Sequence, residues 1–381
     1  MIRESVSVIV PTFNRAKYLR ECLDSLLGQT VDPYEIVVVD DGSEDQTREL
    51  VASYGKRIAY IYKENGGKPS AVNLGLAAAS GSLIWLFDDD DVALPDAIER
   101  RLESLRKKPE AGFVYSPHLL GSDSSDGRIV SGRLSTPPQY ADEQFFLEIM
   151  KSCFFHLGTV LARREHYQTL RGLDPKLLSG EDYDFQIRLA RIARPAFSPS
   201  PTFIFRQHAG VRGAKAIRYS ASQRSGVFRR YSQAIGLKLK NDVLLREYLT
   251  PQRRLPVGDP VEREALLNRM QVMGNHGCVR ELVDDLTSLL SVKANQVGLA
   301  AHEAAGVAAV IRSGWAYEAC VQEWPDFLRS LRGIRRLPGG RAAIWALAKG
   351  VLGLAVSYPG AAFERLDRAR RAAQLAVAAH M

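Results

Sequence analysis

Leu83-Ile84-Trp85-Leu86-Phe87-Asp88-Asp89-Asp90-Asp91 is the stretch on which the reading of this chain turns. Five apolar residues preceded by Ser80-Gly81-Ser82 have the length and composition of a buried strand. Four aspartates follow directly, and four carboxylates at one strand end repel one another unless a positive charge lies between them. A hard divalent cation such as Mg²⁺ or Mn²⁺ takes oxygen ligands and, when few carboxylates hold it, shares its shell with substrate phosphates. An acidic turn before a helix beginning at Pro95 would account for the run taken alone. The rest of the chain argues for the metal.

Toward the N-terminus, Ser5 to Val10 reads as a strand, closed by Pro11-Thr12-Phe13-Asn14. Leu19, Cys22, Leu23, Leu26 and Leu27 then recur at helical spacing. Glu35 to Val39 is a second apolar strand that ends in Asp40-Asp41-Gly42-Ser43. Ser43 with Gln46 three residues on fits a capping box, so a helix is expected there, closed by Gly55. Ile58 to Tyr62 is a third strand, and Asn65-Gly66-Gly67-Lys68 leads into a helix through Ala71 to Ala79. Alternating strands and helices with near-continuous apolar strands predict an α/β fold, its parallel sheet covered on both faces. Ligands of such sheets bind beyond the carboxyl ends of the strands, where the acids of this chain fall.

The turn after the first strand is Pro11-Thr12-Phe13-Asn14-Arg15, with neither a Gly-x-Gly-x-x-Gly fingerprint nor a P-loop anywhere in the chain. Carboxylates plus a metal would take the place of a glycine phosphate cradle. Farther on, Gly180-Glu181-Asp182-Tyr183-Asp184-Phe185 opens a helix whose apolar face is Phe185, Leu189 and Ile192. An Asp in a first helical turn is held ionised by the dipole, as a general base needs.

Five segments occur in the order seen in family 2 glycosyltransferases of the GT-A fold. They are Ser-Val-Ile-Val-Pro-Thr-Phe-Asn-Arg (7–15), Val-Val-Val-Asp-Asp-Gly-Ser-Glu-Asp-Gln-Thr (37–47), Asn-Gly-Gly-Lys (65–68), the four aspartates with Pro95, and Gly-Glu-Asp-Tyr-Asp-Phe (180–185). The resemblance covers about the first 210 residues. It implies a GT-A-type, Rossmann-like, mostly parallel sheet flanked by helices, and an inverting transferase that moves a sugar from a nucleotide diphosphate donor to an acceptor hydroxyl.

The resemblance also implies roles. Asp41 resembles the residue that meets the uracil edge, with Asp40 as the alternative, and Pro11 and Phe13 lie where an aromatic ring stacks on the base. Lys68 resembles a basic residue near the nucleotide phosphates. Anchored on Pro95, Asp88 and Asp90 fall on an Asp-x-Asp pattern: Asp90 as direct metal ligand, Asp88 toward ribose or a metal-bound water. Asp89 belongs with the nucleotide contacts, and Asp91 is expected on the acceptor side with Glu181 and His156. Asp182 matches the general base, and His208, in Phe205-Arg206-Gln207-His208, is a candidate contact for the metal or diphosphate. The implied cofactor is Mn²⁺ or Mg²⁺.

Composition fits an enzyme of about two domains. Cys22, Cys153, Cys278 and Cys320 show no paired spacing, which predicts neither a zinc site nor a disulfide framework. Met1-Ile2-Arg3-Glu4 runs straight into a strand, so no signal peptide is expected, and the cytoplasm or the inner face of its membrane is the expected location. The expected domains are 1–215 catalytic, 216–250 a helical extension that includes a helix from Ile217 to Leu249, 251–260 a proline-rich linker, and 261–381 an all-helical domain. In that domain Leu266, Leu267, Met270, Val279, Leu282 and Val283 mark amphipathic hairpins.

The net charge of +8 is uneven. Between Asp326 and Arg371 ten Lys or Arg face three acids, which is 10 − 3 = +7. The aliphatic stretch Ala342 to Val356 lies within, interrupted by Lys349 and short of the roughly 20 residues of a membrane span. A basic, aliphatic helix with one Trp predicts contact with an anionic membrane surface, and a buried hairpin with solvated basic faces is the competing expectation. Aromatic residues are not interleaved with the basic ones, which argues against nucleic acid.

The leading expectation is therefore a metal-dependent glycosyltransferase acting on a surface polysaccharide, a lipid-linked acceptor or a similar glycan. Another nucleotidyl-transfer enzyme, which would have no use for the Glu181-Asp182 helix start, and a non-catalytic nucleotide-sugar-binding or scaffolding protein are the alternatives. No short motif records the sugar, the acceptor or the oligomeric state.

Overall fold

The computed structural model describes residues 4–124, 129–208, 224–253, 259–292, 299–312, 315–357 and 362–380. The chain divides into two compact units, Met1–Ile149 with Cys153–Val227, and Met150–Ser152 with Phe228–Met381. The expected linker lies partly outside the described residues, at 254–258, and so do residues 217–223 of the expected helix.

In chain order the first unit runs β1 (Val6–Thr12), α1 (Ala16–Leu27), β2 (Glu35–Asp40), α2 (Thr47–Ala52), β3 (Ala59–Tyr62), α3 (Lys68–Ala78), β4 (Leu83–Leu86) and β5 (Val92–Ala93). It continues with α4 (Ala97–Lys107), β6 (Ala111–Tyr115), β7 (His118–Asp123), β8 (Ile129–Ser135), α5 (Asp142–Lys151), β9 (Leu161–Arg163), α6 (Arg164–Thr169), α7 (Glu181–Ile192), β10 (Arg194–Phe197) and β11 (Phe203–Gln207). Seven strands form one sheet in the order β10-β6-β9-β4-β1-β2-β3, and four form a second in the order β5-β11-β7-β8.

β1 lies at the centre of its neighbours because both its faces are apolar. Val6, Val8 and Val10 pack with Leu19, Cys22, Leu23 and Leu26 of α1 and Leu102 and Leu105 of α4. On the opposite face Ile9 meets α3 so closely that a Cβ on Gly75 would lie 2.5 Å from Ile9 Cγ2. Each buried Val or Leu contributes about 1.5–3 kcal/mol relative to exposure, so this two-sided burial is the main support of the sheet. Parallel pairing ends β1 and β2 together at Thr12 and Asp40, while β4 stops opposite Ile9 and the aspartate run continues from there toward the same end of the sheet.

The sheet is mostly parallel, as expected, with β9 antiparallel to both β4 and β6. Two local expectations are corrected. No capping box forms at Ser43 and Gln46: Ser43 Oγ accepts the Asn14 N–H at 2.9 Å instead, Asp45 Oδ1 accepts the Thr47 N–H at 3.1 Å, and the helix begins only at Thr47. Ile192, expected on the buried face of α7 with Phe185 and Leu189, is 44 % exposed at the helix end.

Among its described residues the second unit has no strand; its helices are α8 (Arg224–Asp242, from Phe228 on), α9 (Asp259–Asn275), α10 (Val279–Ser291), α11 (Ala301–Val310), α12 (Ala316–Gln322), α13 (Trp324–Arg335), α14 (Gly340–Ser357) and α15 (Ala362–His380). Leu266, Met270, Val279, Leu282 and Val283 are buried, as their spacing predicts, with Leu267 half-buried and Leu286 added to the same core. The buried Arg263 guanidinium donates twice to Glu303, both bonds 2.7 Å, a fork-to-fork arrangement that satisfies a charge inside the helical core. No described helix is long and apolar enough to cross a membrane.

Candidate active site

The aspartate run leaves the carboxyl end of β4 and turns sharply, so its members diverge. Asp88 is partly open, and Lys68 Nζ lies 2.5 Å from its Oδ1. Asp89 and Asp90 share one cation: Arg15 Nη1 donates to Asp89 Oδ1 at 3.0 Å and to Asp90 Oδ2 at 2.7 Å. His208 Nε2 lies 2.9 Å from the same Asp90 oxygen. Asp91 is 1 % exposed, and its Oδ1 accepts the Arg206 N–H at 2.9 Å. It does not face an open acceptor side, because β11 of the second sheet covers it.

Ligand oxygens of Asp88, Asp90 and Asp91 lie within 4.8 Å of one another, the only such grouping among the described residues. Burial, then the charges of Asp90 and Asp88, pushes Asp91 well above the usual carboxylate range. Burial likewise raises Asp89 to about 6, against the pull of Arg15. Asp88 is opposite: burial alone would raise it, but Lys68 holds it below the usual range. Asp91 Oδ2 is buried without a hydrogen-bond partner. An orphaned carboxylate oxygen beside two further carboxylates fits a hard divalent cation with oxygen ligands. Asp88, Asp90 and Asp91 would hold it, with His208 beside Asp90.

Across the strand ends, α7 begins at Gly180, whose φ of 76° is the left-handed conformation that glycine takes without strain. This turn delivers Glu181 and Asp182 as the first two helical residues. Asp182 lines one small cleft with Pro11, Lys68, Asp88, His156 and Gly158. Its Oδ1 accepts the Tyr183 N–H at 2.8 Å. Glu181 is buried, and burial, then the Asp182 charge, raises its carboxyl to about 7. His156 Nδ1 accepts the Gly158 N–H at 3.2 Å, and burial lowers this imidazole below its ordinary value. It is not a core histidine sealed from the site: it faces the cleft.

At the end of β2 the two acids are both buried and serve different partners. Asp40 accepts Tyr60 Oη at 2.6 Å and the Ser43 N–H at 2.7 Å. Asp41 gathers the 63–67 loop, accepting Lys63 Nζ at 2.6 Å, Asn65 Nδ2 at 3.1 Å and the Gly66 and Gly67 N–H groups at 2.9 and 2.7 Å. Four donors fill the lone-pair sites of one carboxylate. Phe13 follows β1 half-buried, next to Asn14, whose φ is 52°.

Three participants went unassigned in the sequence: Arg15, Lys63 and Arg206. Arg206 is fully buried, donates Nε to the Asp90 carbonyl at 2.7 Å, pairs with Glu21 and Asp123, and lies over the Tyr18 ring at 4.9 Å. Arg15 closes the quoted 7–15 segment, and Arg206 stands two residues before His208, so both were in view. Their partners, however, are 74 or more positions away.

Residues 7–171 match the profile described as "Glycosyl transferase family 2". An uncharacterized glycosyltransferase of Rickettsia prowazekii is 33 % identical over 207 residues, 54 % of this chain and 64 % of that protein. The chondroitin synthase of Pasteurella multocida is 30 % identical over 192 residues, covering 50 % of this chain and 19 % of the synthase. The chain thus spans less than two thirds of the length of these curated relatives. Among solved structures, S. aureus TarS 1–349 in complex with UDP-GlcNAc aligns with a TM-score of 0.54 at 19 % identity, covering 86 % of this chain and 92 % of that one. At that identity the likeness concerns the fold, which is of the GT-A type. Residues 7–171 of this chain are thus similar to glycosyl transferase family 2, on a fold of the GT-A type.

Proposed function

We propose that the protein is a metal-dependent inverting glycosyltransferase. It moves a sugar from a nucleotide diphosphate donor, a UDP-sugar, to an acceptor hydroxyl of a surface polysaccharide or lipid-linked glycan. The observation that carries this is that one cleft is lined both by Asp88, the open member of the Asp88-Asp90-Asp91 cluster that follows β4, and by Asp182 from the start of α7. The family match and the UDP-GlcNAc complex of TarS support the donor class.

Bound Mn²⁺ or Mg²⁺ supplies Lewis-acid neutralisation of the donor diphosphate. Asp88, Asp90 and Asp91 would hold the cation with His208 beside Asp90, and Asp89 keeps Arg15 in place beside them. Lys68, paired with Asp88, presents a second positive charge toward the phosphates. Phe13 and Pro11 flank the base, and Asp41 takes its edge by exchanging the flexible Lys63, whereas Asp40 is committed to Tyr60. Asp182 accepts the proton of the acceptor hydroxyl. Proximity of base and donor within one cleft converts the transfer into a positioned, intramolecular-like step. His156 and Glu181 line the acceptor side.

A screen of nucleotide sugars, read by release of the nucleoside diphosphate, tests this reading with Mn²⁺, with Mg²⁺ and with EDTA. The expected result is release that needs metal and is lost in Asp90→Ala. Equal release in EDTA, or in Asp90→Ala, would remove the metal from the mechanism.

A further inference from the structure

The C-terminal helical hairpin carries a surface that the transfer chemistry does not use. Of the apolar residues in the stretch 342–356, Ile344, Leu347 and Val351 are 0 % exposed and Leu354 7 %, so they are core and unavailable to any partner. Gly350 explains why α14 is held so tightly: a Cβ there would lie 2.3 Å from Ile311 Cγ2. What α14 does expose is a single stripe, Arg341, Trp345, Lys349 and Leu352, spaced i, i+4, i+8 and i+11. On α15 the exposed stripe is Arg370, Ala373, Val377 and His380, spaced i, i+3, i+7 and i+10.

The two stripes join. The Trp345 and His380 rings meet edge to face with centroids 5.4 Å apart. Because α14 and α15 form a hairpin, Leu352 and Val377 fall on the same side, 49 % and 51 % exposed, with Trp345 39 % exposed. The result is one face with three large apolar side chains at its centre and Arg341, Lys349 and Arg370 around them. An exposed indole with aliphatic neighbours and a basic surround is the composition of a surface that lies in a lipid headgroup layer.

We propose that this α14–α15 face docks on an anionic membrane surface, lying on it rather than spanning it. The charge decides between occupants. A second copy of the chain on this face would set the basic surround of Arg341, Lys349 and Arg370 against the same basic surround of its partner, which is repulsive. Anionic lipid is the complementary surface, and the segment from Asp326 to Arg371 carries +7 of the chain's +8. This inference stands apart from the proposed transfer activity, since none of its residues lines the cleft.

The test is co-sedimentation of the whole chain with vesicles of phosphatidylcholine plus phosphatidylglycerol, against phosphatidylcholine alone. Binding is expected only to the anionic vesicles and is expected to fade between about 0.1 M and about 1 M salt, as the Debye length falls from about 10 to about 3 Å. Arg341→Glu/Lys349→Glu/Arg370→Glu should weaken it on the order of 10²-fold, at roughly fivefold for each basic side chain near the surface. Trp345→Ser/Leu352→Ser/Val377→Ser should weaken it at every salt concentration. All six positions are exposed, so the variants are expected to keep the wild-type circular dichroism and donor turnover. Absence of anionic-vesicle binding by the wild type, or binding of wild-type strength by both triple variants, would overturn the proposal. A wild-type dimer in sedimentation equilibrium that the Trp345→Ser triple variant dissolves would overturn it in favour of a second copy.

Discussion

The Gly158 N–H donates to His156 Nδ1 at 3.2 Å, and this bond assigns the proton of the neutral imidazole to Nε2. Burial keeps the ring neutral at ordinary pH by lowering its pKa. The ring therefore offers the cleft a hydrogen-bond donor without adding charge to Lys68, Asp88 and Asp182. His156→Gln, which keeps an N–H donor, is expected to retain substantially more turnover than His156→Phe, with each variant binding donor similarly. Equal losses in the two, measured by nucleoside diphosphate release, would make His156 a packing residue.

Asp182 shares the cleft with Asp88 but makes only a local bond to the Tyr183 N–H, which leaves carboxylate capacity for an acceptor proton. Asp182→Asn removes the basicity and keeps the shape. Turnover should fall about 10²-fold or more, the usual scale for a general base, while calorimetry shows unchanged donor affinity. Lost affinity with unchanged turnover would place the residue in binding instead.

Glu181 gives the fold a pH dependence. An unfolded glutamate ionises near 4.3, and the buried one is pushed up to about 7. Folding raises this pKa, so its stabilisation is fully present below the unfolded value and is lost as pH rises through about 7. Glu181→Gln should match wild type near pH 4 and exceed it near pH 8 by on the order of 3 kcal/mol. Thermal melts at the two pH values check this, and an equal difference at both would refute the linkage.

Arg101 is the largest unrelieved cost in the described core. Its guanidinium is 0 % exposed, lies 3.7 Å from the Trp85 ring centroid and donates Nε to the Ala97 carbonyl, yet both terminal nitrogens lack partners. Each unmade buried hydrogen bond costs about 1–3 kcal/mol, more than the cation–π contact of about 2 kcal/mol returns for the pair. Arg101→Met keeps the length and apolar contact, so it is expected to raise the urea midpoint, corresponding through the m-value to a stability gain of about 1–2 kcal/mol. A lowered midpoint would show that Trp85 needs the charge.

Much of the site was legible because it lies at strand ends, where the apolar runs stop. The Leu83–Phe87 run placed the aspartates, and Gly180 placed Asp182, from local pattern alone. What stayed hidden depends on distant pairing. Asp91 read as an open acid because nothing near it in sequence says that Arg206 covers it. Ser43 and Gln46 read as a capping box because Asn14, which takes the serine hydroxyl, sits 29 residues away. In the second unit, periodicity found the helices but could not say which side of α14 is core. Ile344 and Trp345 are adjacent, and only packing against α11 and α15 separates them.

β9 reaches its place late. It lies between β4 and β6 in the sheet, although both precede it in the chain. During synthesis from the N-terminus, β4 therefore waits with one edge unpaired until residues 161–163 have left the ribosome, some 75 residues after β4 itself. An open apolar edge is where strands of other chains add, so this interval is the period of greatest risk of misassociation. It also means that the aspartate turn is set only once β9 has locked β4 from the far side. Any N-terminal fragment that stops short of Arg163 is left with a cleft in the sheet where the acids should be held.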